Sequence, residues 1–104
     1  MARPIGAIVR RDTTTLRGAL GKVITDLRSA KNLSQAEFGR LVGYDGSYVG
    51  ELERAAKTMT LEVQEAVASW AGMRPSQLLA RAERLQSRTL KERSSKATAK
   101  RLNR

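Results

Sequence analysis

Between Leu16 and Leu90 the apolar side chains return at intervals of three and four, and no stretch alternates at two for long enough to predict a strand. Leu16, Leu20, Val23, Ile24 and Leu27 fall on one face of an amphipathic helix. Thr13 to Thr15 offer its N-cap, and Asn32, which tolerates left-handed backbone, closes it. Ser34-Gln35-Ala36-Glu37 is a capping box, in which the serine and the glutamate each satisfy a free amide of the other. It predicts a second helix running through Phe38, Leu41 and Val42 to Gly43. Asp45 reads as the N-cap of a third, which carries Val49 and Leu52 and ends near Ala55. Thr60 caps a fourth, with Val63, Val67 and Trp70 at i, i+4 and i+7, stopping at Gly72. Pro75 and Ser76 open a fifth, with Leu78, Leu79, Ala82 and Leu85 turned inward and Leu90 beyond them. The pattern predicts an all-α fold of five short helices, with no sheet and no internal repeat.

Charge changes this picture, because it is not where the apolar residues are. The 104 residues carry a formal net charge of +10. Residues 1–19 hold Arg3, Arg10, Arg11 and Arg17 against Asp12, and residues 20–80 balance seven basic against seven acidic side chains. Residues 81–104 hold nine basic residues against Glu83 and Glu92. The excess is therefore +3 before a neutral middle and +7 after it. The organisation expected is a basic arm over 1–14, a helical bundle over 15–91 with a helix-turn-helix unit at 34–55, and a basic tail over 92–104. That tail has almost no apolar residues to offset its ordering entropy, so it is expected to be disordered.

Composition also removes whole classes of function. The chain has no Cys and no His, so a disulfide framework, a thiolate metal site and the usual general base are absent. No catalytic site, metal or cofactor is expected, and no sensor domain fits after residue 80. No segment reads as a signal peptide or a membrane span, so the expected location is the cytoplasm, at the nucleoid. An excess of positive charge points to a polyanionic partner.

The informative stretch is LSQAEFGRLVGYDGSYVGELER, Leu33 to Arg54. Gly39 is a small residue where two helices would cross closely, and Gly43 sits where a tight turn needs one. Phe38, Val42, Tyr44, Val49 and Leu52 point from both helices into one shared core. With the Leu-Gly-Lys opening at Leu20 to Lys22, Ser47-Tyr48-Val49, Leu52-Glu53-Arg54 and Pro75-Ser76-x-Leu-Leu, the chain resembles the Xre family of bacterial and phage regulators, built like the Cro and cI repressors. The resemblance covers Leu20 to Leu79.

It implies a lambda-repressor-like five-helix bundle whose third helix enters the DNA major groove, usually as a homodimer on a two-fold operator. Carried over by position, Gly46, Ser47, Gly50 and Glu51 are the base-contact candidates. Gln35 matches a phosphate contact that also braces the recognition helix. Tyr48, Arg40, Arg54, Lys57, Arg28 and Lys31 are further backbone candidates. The family's glutamate at Glu53 pairs with a basic residue on another helix, for which Arg28 and Arg40 both qualify. Arg3, Arg10 and Arg11, with Arg93, Lys96, Lys100, Arg101 and Arg104, are expected to grip phosphate from the two ends.

One departure matters. Two of the four reader positions are glycine and one is serine, where long polar side chains usually pair with base edges. Direct readout should be thin, leaving shape readout or a motif kept as scaffold. The expected function is a DNA-binding transcriptional regulator, a repressor or autoregulator, acting on double-stranded DNA as a homodimer and making no membrane contact. The alternatives are an adaptor or antitoxin that binds a protein partner, and a non-specific nucleic-acid-binding protein.

Overall fold

The computed structural model describes residues 12–102, with side chains to residue 95. Among these it contains five helices and no strand: α1 (Leu16–Ala30), α2 (Gln35–Val42), α3 (Gly46–Glu53), α4 (Leu61–Trp70) and α5 (Pro75–Leu102). The caps are those the sequence predicts. Thr15 accepts from the Gly18 amide, Asp45 from Ser47 and Thr60 from Val63, and Ser34 forms the full capping box with Glu37. Asn32 takes a φ of 57° after α1, and Gly43 a φ of 91° after α2. Ala55 was not expected there: its φ of 62° turns the chain sharply after α3 without a glycine.

The apolar stripes meet in one core. Ala19, Leu20, Val23 and Ile24 of α1 pack with Phe38, Val49, Leu52, Val63, Val67, Leu78 and Ala82, closed by Met59 from the loop before α4. Fully burying Ile24 or Leu78 contributes about 1.5–3 kcal/mol each over exposure. Trp70 sets its edge against the Phe38 ring at a centroid distance of 4.9 Å and an interplanar angle of 83°, which ties α4 to α2. Leu41, grouped with Phe38 and Val42 as apolar positions of this helix, is 57% exposed instead.

Both ends of the bundle differ from expectation. Residues 12–14, assigned to the basic arm, are docked on α5. The Gln86 side chain donates to the Thr14 carbonyl at 3.0 Å, and the Thr13 and Thr89 hydroxyls share a 2.8 Å hydrogen bond. Asp12 caps this turn by accepting from the Thr14 amide and hydroxyl, which hold its carboxyl below the usual range. At the other end α5 continues to Leu102, through the residues assigned to a disordered tail. That segment is helical without burial over residues 92–95. Lys, Arg, Glu and Ala are good helix formers, and extending a packed helix avoids the cost of nucleation.

Candidate nucleic-acid interface

The site begins with the crossing of α2 and α3, which is close enough to require glycine. A β-carbon on Gly39 would lie 2.3 Å from the Tyr44 carbonyl oxygen, and one on Gly46 would lie 2.9 Å from the Ala36 α-carbon. Gly50 is buried beneath the Gln35 side chain. Two of the four predicted base-contact residues, Gly46 and Gly50, thus turn toward α2, where their role is to bring the helices together. At Gly46 the absence of a side chain is a packing requirement, whereas at Gly50 a β-carbon would meet only the ends of the Gln35 and Arg54 side chains.

A buried polar cluster then fixes the orientation of α3. Glu53 is 2% exposed. Its carboxylate accepts from Arg28 Nε at 2.6 Å and Nη2 at 3.0 Å, and from Gln35 Nε2 at 2.9 Å. The third guanidinium nitrogen of Arg28 donates to the Leu33 carbonyl at 2.7 Å. One residue each from α1, α2 and α3 is thereby joined, with the α1–α2 loop as a fourth contact. The hydrogen bonds to Glu53 hold the Arg28 guanidinium more firmly protonated than an ordinary arginine. Arg28, one of the two candidates for Glu53, is the partner. Each of its three nitrogens donates one hydrogen bond within this cluster. Gln35 braces the recognition helix with its amide nitrogen.

What faces outward is a short set. Ser47 is exposed at the first turn of α3, and Glu51 follows one turn later on the same face. The Asp45 carboxylate accepts from both the Ser47 amide and its hydroxyl. With its proton so committed, Ser47 Oγ offers lone pairs to solvent. These hydrogen bonds also hold the Asp45 carboxyl below its usual range. Glu51 is compensated by Lys57, whose Nζ lies 3.5 Å from Oε1 and 5.8 Å from the centre of the Tyr48 ring. Tyr48 in turn leans on Tyr44 at 5.4 Å. Arg40, Arg54 and Lys31 are exposed at the edges of this surface.

Of the remaining predicted contacts, Arg93 is the one whose side chain is described. Arg93 stands on α5 near Asp12, which feels its charge. Arg3, Arg10, Arg11 and Arg104 lie outside the described residues, as do the side chains of Lys96, Lys100 and Arg101. The site residues named from the sequence leave out Arg81, Arg84, Arg88 and Lys91, which occupy one flank of α5; their spacing of three, four and three residues was the signal. Among the described residues no cluster of His, Cys, Asp or Glu is arranged to hold a metal. No helix there is long and apolar enough to cross a membrane.

Known proteins share this architecture. A crystal structure of the clp gene regulator ClgR from Corynebacterium glutamicum superposes with a TM-score of 0.67 at 24% identity, over 80% of this chain and 89% of that one. A second structure of the same regulator gives a TM-score of 0.59 at 28% identity, over 66% of this chain and 90% of that one. No curated protein matches the chain. A family model described as a helix-turn-helix domain matches residues 19–82, more than half of the 104 residues and all of the α2–α3 unit. The chain therefore belongs to the helix-turn-helix domain family.

Proposed function

We propose that this protein is a DNA-binding transcription regulator of the Xre type, a repressor or autoregulator, that lays α3 in the major groove. The observation that carries the reading is the exposed first turn of α3, held by a buried Arg28–Gln35–Glu53 cluster whose polar groups the core alone does not need. Such a cluster costs desolvation, and its return is a fixed orientation of one helix. Similarity to the ClgR regulator supports the same assignment.

The chemistry of the face narrows what it reads. Ser47 Oγ and the Glu51 carboxylate both present acceptors, and in the major groove acceptors pair with the amino groups of cytosine and adenine. Arg40, Arg54 and Lys31 flank this strip and match phosphate, with the basic chain ends adding sequence-independent affinity. In this reading the protein acts as a homodimer, so its sites should be two-fold. Selection of bound duplexes from a random pool tests the proposal. The expected result is a short palindrome whose half-sites lie about one helical turn apart, with cytosine or adenine at the positions Ser47 and Glu51 face. Recovery of duplexes with no shared sequence would refute it and leave a non-specific binder.

A further inference from the structure

Helix α5 is amphipathic in an unusual way. Its inner side packs through Leu78, Ala82 and Leu85, with Gln86 and Thr89 bonded to the turn before α1. One flank carries Arg81, Arg84, Arg88 and Lys91, all exposed. At 3.6 residues per turn this spacing lines up four cations over about 15 Å. Among the described residues the ion pairs are Lys22–Asp26, Arg28–Glu53 and Lys57–Glu51, so none of the four has a carboxylate partner. Arg81, Arg84 and Arg88 share a hollow with Val23 and Asp26 of α1, and Lys22 holds that aspartate at 2.6 Å. Like charges set this close repel one another and add nothing to the core.

The row lies away from α3. On α1, Gly21 and Arg28 face α3, for a β-carbon at Gly21 would meet the Glu53 carbonyl oxygen at 2.6 Å. Val23 and Asp26, which line the hollow beside the arginines, stand roughly 140–200° around α1 from Gly21. A straight duplex seated on α3 would not reach the row. Arginine predominates in it, and the planar guanidinium suits phosphate oxygens. Its neighbours on the outer side are Ala80, Glu83 and Ser87, which line a hollow with Arg84, Arg88 and Lys91 and offer no apolar bulk for insertion into a bilayer.

We propose that this flank of α5 is a second phosphate-binding surface, which takes the backbone of a second DNA duplex while α3 holds the first. The inference rests on the reading of α3 as a DNA-binding helix. The test uses the full chain, a biotinylated duplex on beads and a labelled free duplex of unrelated sequence. The wild type should retain the free duplex on the beads. Arg84→Gln with Arg88→Gln, at two exposed helix positions, should keep binding of the bead-bound duplex within a few-fold and lose retention of the second by about tenfold. Arg84→Lys with Arg88→Lys should restore retention.

Equal retention by the Gln variant would overturn the proposal, since a homodimer bridging through two α3 helices gives that result. Wild-type binding of the first duplex alone would also overturn it, as would capture of phosphatidylserine vesicles in place of the second duplex. Failure to bind even the first duplex would instead sink the reading of α3, and this inference with it.

Discussion

Helices α2 and α3 have eight residues each, while α5 has 28. In isolation the short pair would not be stable in water, because eight residues do not offset the cost of nucleation. They persist through tertiary contacts: glycines that let them touch, a shared apolar core, and Glu53 joined to Arg28 and Gln35. The outer part of α5 is the reverse case. Residues 91–95 are exposed, and the segment is helical through propensity and continuity with a packed helix. The first region holds Arg40 against Glu37, Glu51 and Glu53 and sets the orientation of a surface. The second carries a large excess of charge and can present it along a rod. Shape and charge are supplied by different parts of one chain.

That contrast breaks first at Glu53. Glu53→Ala should destabilise the fold by about 3 kcal/mol, the low end for breaking a buried pair, because the partly exposed Arg28 can turn toward water. Glu51→Ala, two residues away on the same helix, should change stability by less than about 1 kcal/mol, since its pair with Lys57 is exposed. Urea denaturation midpoints of the two variants check the difference. Similar losses would mean that Glu53 does not lock the helices.

Next in size is the helix crossing. Gly46→Ala forces a β-carbon onto the Ala36 backbone and should cost about 1–3 kcal/mol. At Gly50 a β-carbon would press only on the ends of the Gln35 and Arg54 side chains, which can shift. Gly50→Ala should therefore stay within about 1 kcal/mol of wild type, offset by the better helix propensity of alanine. Thermal unfolding of both separates a packing role from a conformational one.

Acid should affect the caps more gently. The Glu37 carboxyl is held below its ordinary value of 4.5, chiefly by the Ser34 amide. A carboxyl with a lowered folded pKa adds stability that is complete above the ordinary value and drains as pH falls through the lowered one. Unfolding temperature should therefore hold steady down to about pH 5 and decline below pH 4.5. In Glu37→Gln that decline should be shallower. An unchanged profile in the variant would remove Glu37 from the account.

Much of the fold was legible because its signals are local. The Ser34–Glu37 box, the Asp45 and Thr60 caps and the three-four spacing of leucines and valines each act within one or two turns. The readings that failed depend on how helices meet. Gly46 and Gly50 look like missing base readers until the crossing shows them facing α2. Arg28 and Arg40 were equal candidates for Glu53, and only the packing of α1 against α3 decides for Arg28. Ala55 in left-handed backbone has no local signature at all. The helix over residues 92–102 was missed because its stability is borrowed from the packed turns before it.

The central claim is that the helix pair orients the protein on DNA while the basic chain end supplies affinity. The salt dependence of duplex binding tests it most directly, compared between the full chain and a chain ending at Glu92. The deleted segment holds Arg93, Lys96, Lys100, Arg101 and Arg104. If these five engage phosphate, the truncated chain should bind more weakly at low salt, with a log-log slope shallower by about 4 to 5. The sequence preferred in a random pool should stay the same. Unchanged slope and affinity after truncation would contradict the claim and return the binding energy to the helix-turn-helix itself.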